Sequence, residues 1–230
     1  MPESNGIMDP FEHVSGTCNQ GQAIKYLWVI IFLLVLVWSG INPKDELTWL
    51  LEVLPAIIGV LVLAATYRTF RLTPLLYGLI LFHCVILMIG AHYTYAEVPF
   101  FDAIRPAFGF ERNNYDKLGH FVQGFVPAMI AREVLIRKEA VNGAAWRNLF
   151  IVSICLAFSA FYEMIEWWVA IVSGEDAHAF LGTQGYIWDT QSDMAFALLG
   201  AVLAIGTLSR LHDRQLDTIP SETEPFYEGN

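Results

Sequence analysis

Six residues of this chain have side chains that could do chemistry together. Asp116 and His120 stand four apart in Tyr115-Asp116-Lys117-Leu118-Gly119-His120-Phe121, so on a helix they share one face. Gln123 continues that face one turn deeper. Glu163 and Glu166 stand three apart, with Ser159 one turn before Glu163, and Asp189 and Asp193 again stand four apart. Carboxylates and an imidazole are acid–base groups and ligands for hard cations. Five carboxylates gathered in a low dielectric cannot all keep their charge: some take up protons, or a bound cation neutralises them. Oxygen donors with one His suit Mg²⁺, Ca²⁺, Mn²⁺ or non-haem iron, and Zn²⁺ less typically. Di-iron bundles take a Glu-x-x-His pair from each of two helices, and none lies within the long apolar runs of this chain, so a di-iron centre is not expected. In the metal reading Asp116, His120, Glu163, Glu166, Asp189 and Asp193 hold a divalent ion. His120, Glu163 or Asp116 then acts as general base on a metal-bound water. In the structural reading Asp116 and Asp189 cap helices, and Arg105, Arg112 or Lys117 pairs with the others. Capping leaves Glu163, Glu166 and Asp193 unexplained.

The elements that must carry these residues are spanning helices. The chain has 230 residues, 55% hydrophobic and 16% charged, against about 25% charged for a soluble domain. Its mean hydropathy is +0.46. Collagen-like, disordered and disulfide-scaffold classes are excluded, and a net charge of −10 excludes a nucleic-acid partner. A span needs about 20 mostly apolar residues. Six stretches qualify: Ala23–Ile41, Leu47–Tyr67, Thr73–Tyr93, Tyr115–Ile136, Trp146–Val172 and Asp189–Leu208. Such long runs exclude barrel strands. The expected fold is therefore an all-α, polytopic bundle of six transmembrane helices over residues 23–209. A polar tail, 1–22, precedes it, and an acidic, disordered tail, 210–230, follows. No basic n-region precedes the first run, which is read as a retained span.

Placing the N-terminus inside puts nine Lys and Arg in the cytoplasmic segments and four in the outer loops, so both termini are expected in the cytoplasm. The fourth and sixth spans then start outside. The fifth reaches Glu163 after some sixteen residues, or roughly 24 Å of helix. All three pairs fall at one depth, near the outer leaflet, which points to one shared site. The aromatic-rich outer loops 94–114 and 173–188 either lie at the interface or close over that site.

Other candidates are weaker. His83 and His92 read as packed, with His92 near enough to the outer end to join the site. Glu52 reads as snorkelling to water. Gly200 and Ala204 have the small-xxx-small spacing of close helix packing. Cys18, Cys84 and Cys155 read as free thiols. No serine-hydrolase, nucleotide-binding or C-x-x-C motif occurs.

Around these residues the sequence resembles the YjdF-like family of bacterial inner-membrane proteins. The likeness is densest in Arg112 to Phe121, Phe161 to Trp168 and Gly182 to Asp193. A more distant likeness is to VanZ-like membrane proteins, associated with glycopeptide resistance. Asp116, Lys117, His120, Phe121, Glu163, Asp193 and Gly200 match that pattern, and Glu166 and Ala197 depart from it. The resemblance implies a bacterial cytoplasmic membrane and an outward-facing polar site. The expected function is binding a divalent metal ion at the outer leaflet and acting on a lipid or cell-envelope substrate. The alternative is a non-enzymatic small transporter or accessory subunit. Expected partners are membrane lipids, such a substrate, and a membrane-protein partner or a second copy of the chain.

Overall fold

The computed structural model describes residues 10–173 and 184–219, with side chains from residue 22 onward. Seven α-helices and one 3₁₀ turn account for it, with no strand among the described residues. They are α1 (Pro10–Ser39), α2 (Glu46–Thr66), α3 (Pro74–Tyr93), the 3₁₀ turn Tyr95–Glu97, α4 (Pro99–Phe108), α5 (Tyr115–Arg137), α6 (Ala144–Ser173) and α7 (Asp189–Leu216). The six long helices lie where the six apolar runs were read, and the protein is an all-α polytopic membrane bundle. Helix α1 continues toward the N-terminus as far as Pro10, and α7 continues to Leu216. Residues 1–9, 174–183 and 220–230, which include most of the 173–188 loop and the second half of the 210–230 tail, lie outside the described residues, whereas residues 210–216 of that tail are helical.

Local sequence sets the helix starts. Asp45 caps α2 by accepting from the Thr48 amide at 2.6 Å, and Pro74 opens α3 where no intrahelical donor is needed. Asn113 Oδ1 accepts the Tyr115 amide at 3.1 Å at the start of α5.

Five of the long helices, α1, α2, α3, α6 and α7, are long and apolar enough to cross a membrane. Helix α5 is long enough but carries Asp116, Lys117, Arg132, Glu133 and Arg137. The others shield it: it packs most extensively against α7, and also against α6 and α3. Large apolar side chains of α1, α2 and α6, such as Leu34, Leu61, Ile171 and Val172, point outward, as lipid requires. The polar residues turn inward.

Small residues make the α5–α7 seam. A Cβ on Gly124 would lie 1.8 Å from the Ala197 carbonyl oxygen, and one on Gly200 2.1 Å from that of Phe121. With no solvent-driven attraction between helices in lipid, such backbone contact is a main source of association. The Gly200 and Ala204 spacing read from the sequence falls on this seam, where both are buried. Cys84 and Cys155 are free and buried.

The 94–114 connection is more ordered than a loop. Tyr95 wedges its ring between α3 and α5, within 2.3 Å of where a Gly90 Cβ would stand and 2.7 Å of where a Gly119 Cβ would stand. Helix α4 has apolar Phe100 and Phe108 exposed and an Asp102–Arg105 pair at 4.0 Å. This composition suits a helix lying in the membrane interface. Asn113 and Gln184 clasp the connection to the start of α7: the Asn113 amide donates to Gln184 Oε1 at 3.1 Å, and Gln184 Nε2 returns a bond to the Asn113 carbonyl at 2.9 Å.

Candidate functional site

The first turns of α5 and α7 and the last turns of α6 meet at one end of the bundle. They bring together the six residues singled out by spacing. His120 Nε2 lies 3.5 Å from Asp116 Oδ1 and 3.6 Å from Glu163 Oε1. One donor atom each from Asp116, His120 and Asp193 fall within 4.8 Å of one another, all in buried residues. Arg112 reaches Asp189 at 2.5 Å and Asp116 at 3.7 Å. Lys117 lies 3.8 Å from Asp193 and donates to Ser192 Oγ at 2.6 Å. Arg112 and Lys117 both lie over the Tyr186 ring. Arg105 stays on α4 with Asp102.

Asp116 and Asp189 are not the capping residues. The N-cap positions belong to Asn114 and Trp188, neither with a side-chain cap bond. Both aspartates sit in the first turn, where the helix dipole favours a negative charge but no capping bond explains their burial.

The cluster is incompletely satisfied. His120 Nδ1, Glu163 Oε1 and Asp193 Oδ1 are buried without a hydrogen-bond partner. Ser159 Oγ, one turn from Glu163, is in the same state.

Behind this cluster lies a cavity of about 90 Å³. Asp116 and His120 form one wall. Glu166, the sixth predicted residue, lines it with Glu52, His83 and Gln123. Glu52 does not snorkel. It is 4% exposed and accepts from the Tyr162 hydroxyl at 2.9 Å. The Tyr162 ring stands edge-on to His120 at 6.2 Å. His83 also lines the cavity, with its buried Nε2 unpartnered. His92 does not join: its Nδ1 lies 3.1 Å from the Ser39 carbonyl oxygen and its ring packs on Trp38. The sequence clue to Glu52 was a lone acid among Leu and Val in α2, where exposure to lipid is costly.

A second polar cluster, which spacing did not reveal, lies at the opposite end of α5. Glu133 is fully buried and accepts from the Thr73 amide at 3.1 Å, the Thr73 hydroxyl at 2.8 Å and Arg137 at 3.0 Å. His212 Nδ1 lies 2.8 Å from an Arg132 nitrogen. Arginine only donates, so Nδ1 accepts, and Nε2–H is left to donate to Glu133 Oε2 at 2.9 Å. Arg132 also donates to Asp213 at 2.6 Å.

Comparison with known proteins gives the family. Residues 24–214 match the family described as predicted membrane protein DUF2238. The inner membrane protein YjdF of Escherichia coli (strain K12) is 53% identical over 183 residues, which is 80% of this chain and 88% of that protein. No solved structure matches. The VanZ-like likeness rests on the short motif alone. The chain belongs to the DUF2238 family and is a multi-pass inner-membrane protein.

Proposed function

We propose that this member of the family holds a divalent cation near the outer leaflet and uses it on a lipid or cell-envelope substrate. The observation that carries the reading is the convergence of Asp116, His120 and Asp193 donor atoms within 4.8 Å. Charge supports it. The cluster and cavity contain the carboxylates of Glu52, Asp116, Glu163, Glu166, Asp189 and Asp193. Facing them among the described residues are Arg112, Lys117 and the imidazoles of His120 and His83. A divalent ion reduces that deficit, which low dielectric makes expensive.

Asp116, His120 and Asp193 are the inner ligands, and Glu163 stands close enough to His120 to complete the set by a side-chain rotation. Glu166 and Asp189 are set further back, one on the cavity wall and one on Arg112. A bound cation supplies Lewis acidity toward a phosphoryl or carbonyl oxygen. Glu163, beside His120 and with an unpartnered oxygen, is the base best placed to take a proton. Oxygen-rich donors with a single His favour Mg²⁺, Ca²⁺ or Mn²⁺.

The test is elemental mass spectrometry of the detergent-purified protein, prepared without chelators, beside His120→Ala and Asp193→Asn. Near-stoichiometric metal in the parent, lost in both folded variants, is the expected result. Metal-free parent protein after supplementation would end the reading. The bias of Lys and Arg toward the other side supports an outward-facing site. A Glu97→Cys variant in a background lacking the native cysteines should then react with a membrane-impermeant thiol reagent added externally. Reaction only after the cytoplasmic face is opened would invert the topology.

A further inference from the structure

We infer that the cavity between α2, α3, α5 and α6, walled by Glu52, Glu166, Gln123, Tyr95 and Tyr162, is a binding site for a primary ammonium group. This goes beyond the divalent-cation reading, because the cavity shares Asp116 and His120 with the three convergent ligands but adds Glu52 and Glu166, which lie outside that set.

Several features point to that ligand. The cavity's volume, about 90 Å³, is several times what a single water needs. That is more than a bare metal ion fills and leaves room for a small organic cation. Its acids come from different helices, Glu52 from α2 and Glu166 from α6, with Asp116 and Gln123 on α5. An ammonium carries three N–H donors and no acceptor, so acceptors on separate walls suit it. Tyr95 and Tyr162 add aromatic surface, which attracts an organic cation when desolvated. Pro55 and Leu87 give the apolar remainder that a methylene stem requires.

The site also has unmet polar demand. His120 is 4% exposed, lines the cavity, and has a buried Nδ1 without a partner. His83 Nε2, on another wall, is likewise unpartnered. Buried polar atoms in native proteins are normally satisfied. Glu52 is held in place by Tyr162, so one anion is positioned before any ligand arrives.

An ammonium group could belong to a lipid headgroup or to a free amine. The experiment separates them. Full-length protein in detergent is titrated with ethanolammonium chloride, with phosphatidylethanolamine and with phosphatidylglycerol of matching chains. Bound ligand is counted by native mass spectrometry, and metal content is measured on the same samples. The expected result is one ammonium-bearing ligand per chain and no equivalent site for phosphatidylglycerol. Binding of the lipid alone assigns the headgroup, and binding of the free amine alone assigns a soluble ligand. Glu52→Gln should weaken binding about 10- to 100-fold, the value of a charged hydrogen bond. Glu166→Gln reads the same loss should Glu52→Gln fail to fold. No preference for either ammonium probe, or full affinity in a folded Glu52→Gln or Glu166→Gln protein, overturns the inference. Ammonium binding to protein that stays metal-free after supplementation would remove the divalent-cation reading and leave this one standing. Stoichiometric metal without ammonium binding would do the reverse.

Discussion

Helix α5 carries a buried polar cluster at each end, and the two are built on opposite principles. At the Glu133 end, donors and acceptors match. Thr73, Arg137 and His212 all donate to one carboxylate, and Arg132 fixes the far nitrogen of His212. At the Asp116 end, carboxylates outnumber cations, and His120, Glu163 and Asp193 keep unpartnered atoms. A saturated network can only hold helices together. An unsaturated one with a cavity beside it is organised around something further. The same helix thus separates stability from function along its length.

The largest effect is expected from emptying the saturated end. Glu133→Ala removes the common acceptor of Thr73, Arg137 and His212 and leaves the Thr73 and His212 donors unmatched in the interior. Breaking a buried charge network from one side costs about 3–5 kcal/mol. The variant should unfold at markedly lower temperature in detergent, or fail to accumulate in the membrane. A melting temperature equal to the parent's would mean that the Glu133 cluster is not the structural one.

The seam between the two ends comes next. Gly124→Ala sets a methyl carbon where the Ala197 carbonyl oxygen already stands, 1.8 Å away. Backbone must move to admit it, at the upper end of the roughly 1–3 kcal/mol of ordinary overpacking. Because α5 and α7 both contribute to each cluster, their separation should lower the melting temperature and also loosen the Asp116–Asp193 pairing. Ion content measured on the surviving folded fraction tests this second effect. Unchanged melting would mean that the seam gives way without strain.

How much of this was legible beforehand follows from what periodicity records. Six apolar runs predicted six long helices, because lipid demands length and apolarity in one stretch. One-turn spacing placed Asp116 with His120, Glu163 with Glu166 and Asp189 with Asp193, because a helix fixes which residues share a face. The common depth of the pairs followed from helix rise. Glu52 was misread as snorkelling, since a single acid has no partner spacing to mark it and its face depends on how α2 packs. The Glu133 cluster was missed for a related reason. Its members come from the residue before α3, the last turns of α5 and the far end of α7, and only tertiary contact joins them. The structural alternative gave Asp116 and Asp189 to capping, but cap positions shift by one or two residues with local geometry, and Asn114 and Trp188 hold them.

A smaller and opposite effect is expected at the unsaturated end. Asp193→Asn replaces a carboxylate that is 2% exposed and has an unpartnered Oδ1. It relieves repulsion from Asp116 and Asp189. Lys117 keeps Ser192 as a partner. The metal-free protein should melt at the parent temperature or slightly above, by a gain of about 1 kcal/mol at most. Bound divalent ion should fall in the same sample. A large drop in stability would assign Asp193 to the scaffold and make both ends of α5 structural.

The weakest effect belongs to one of the shortest ion pairs. Lys44 Nζ lies 2.5 Å from Glu97 Oε2, but both side chains are more than half exposed. The hydrogen bond it donates to Glu97 raises the Lys44 ammonium above its ordinary value of 10.5. A raised lysine contributes its stabilisation fully below the unfolded value and loses it as pH climbs through the folded one. The contribution is thus constant through neutral pH, and solvent screens it. Lys44→Ala should leave melting, metal content and ammonium binding at parent values near pH 7. A measurable fall would mean that contact distance, and not burial with a matched partner set, decides which polar groups hold this bundle. The contrast between the two ends of α5 would then lose its physical basis, since Arg112–Asp189 is equally short and lies in the unsaturated cluster.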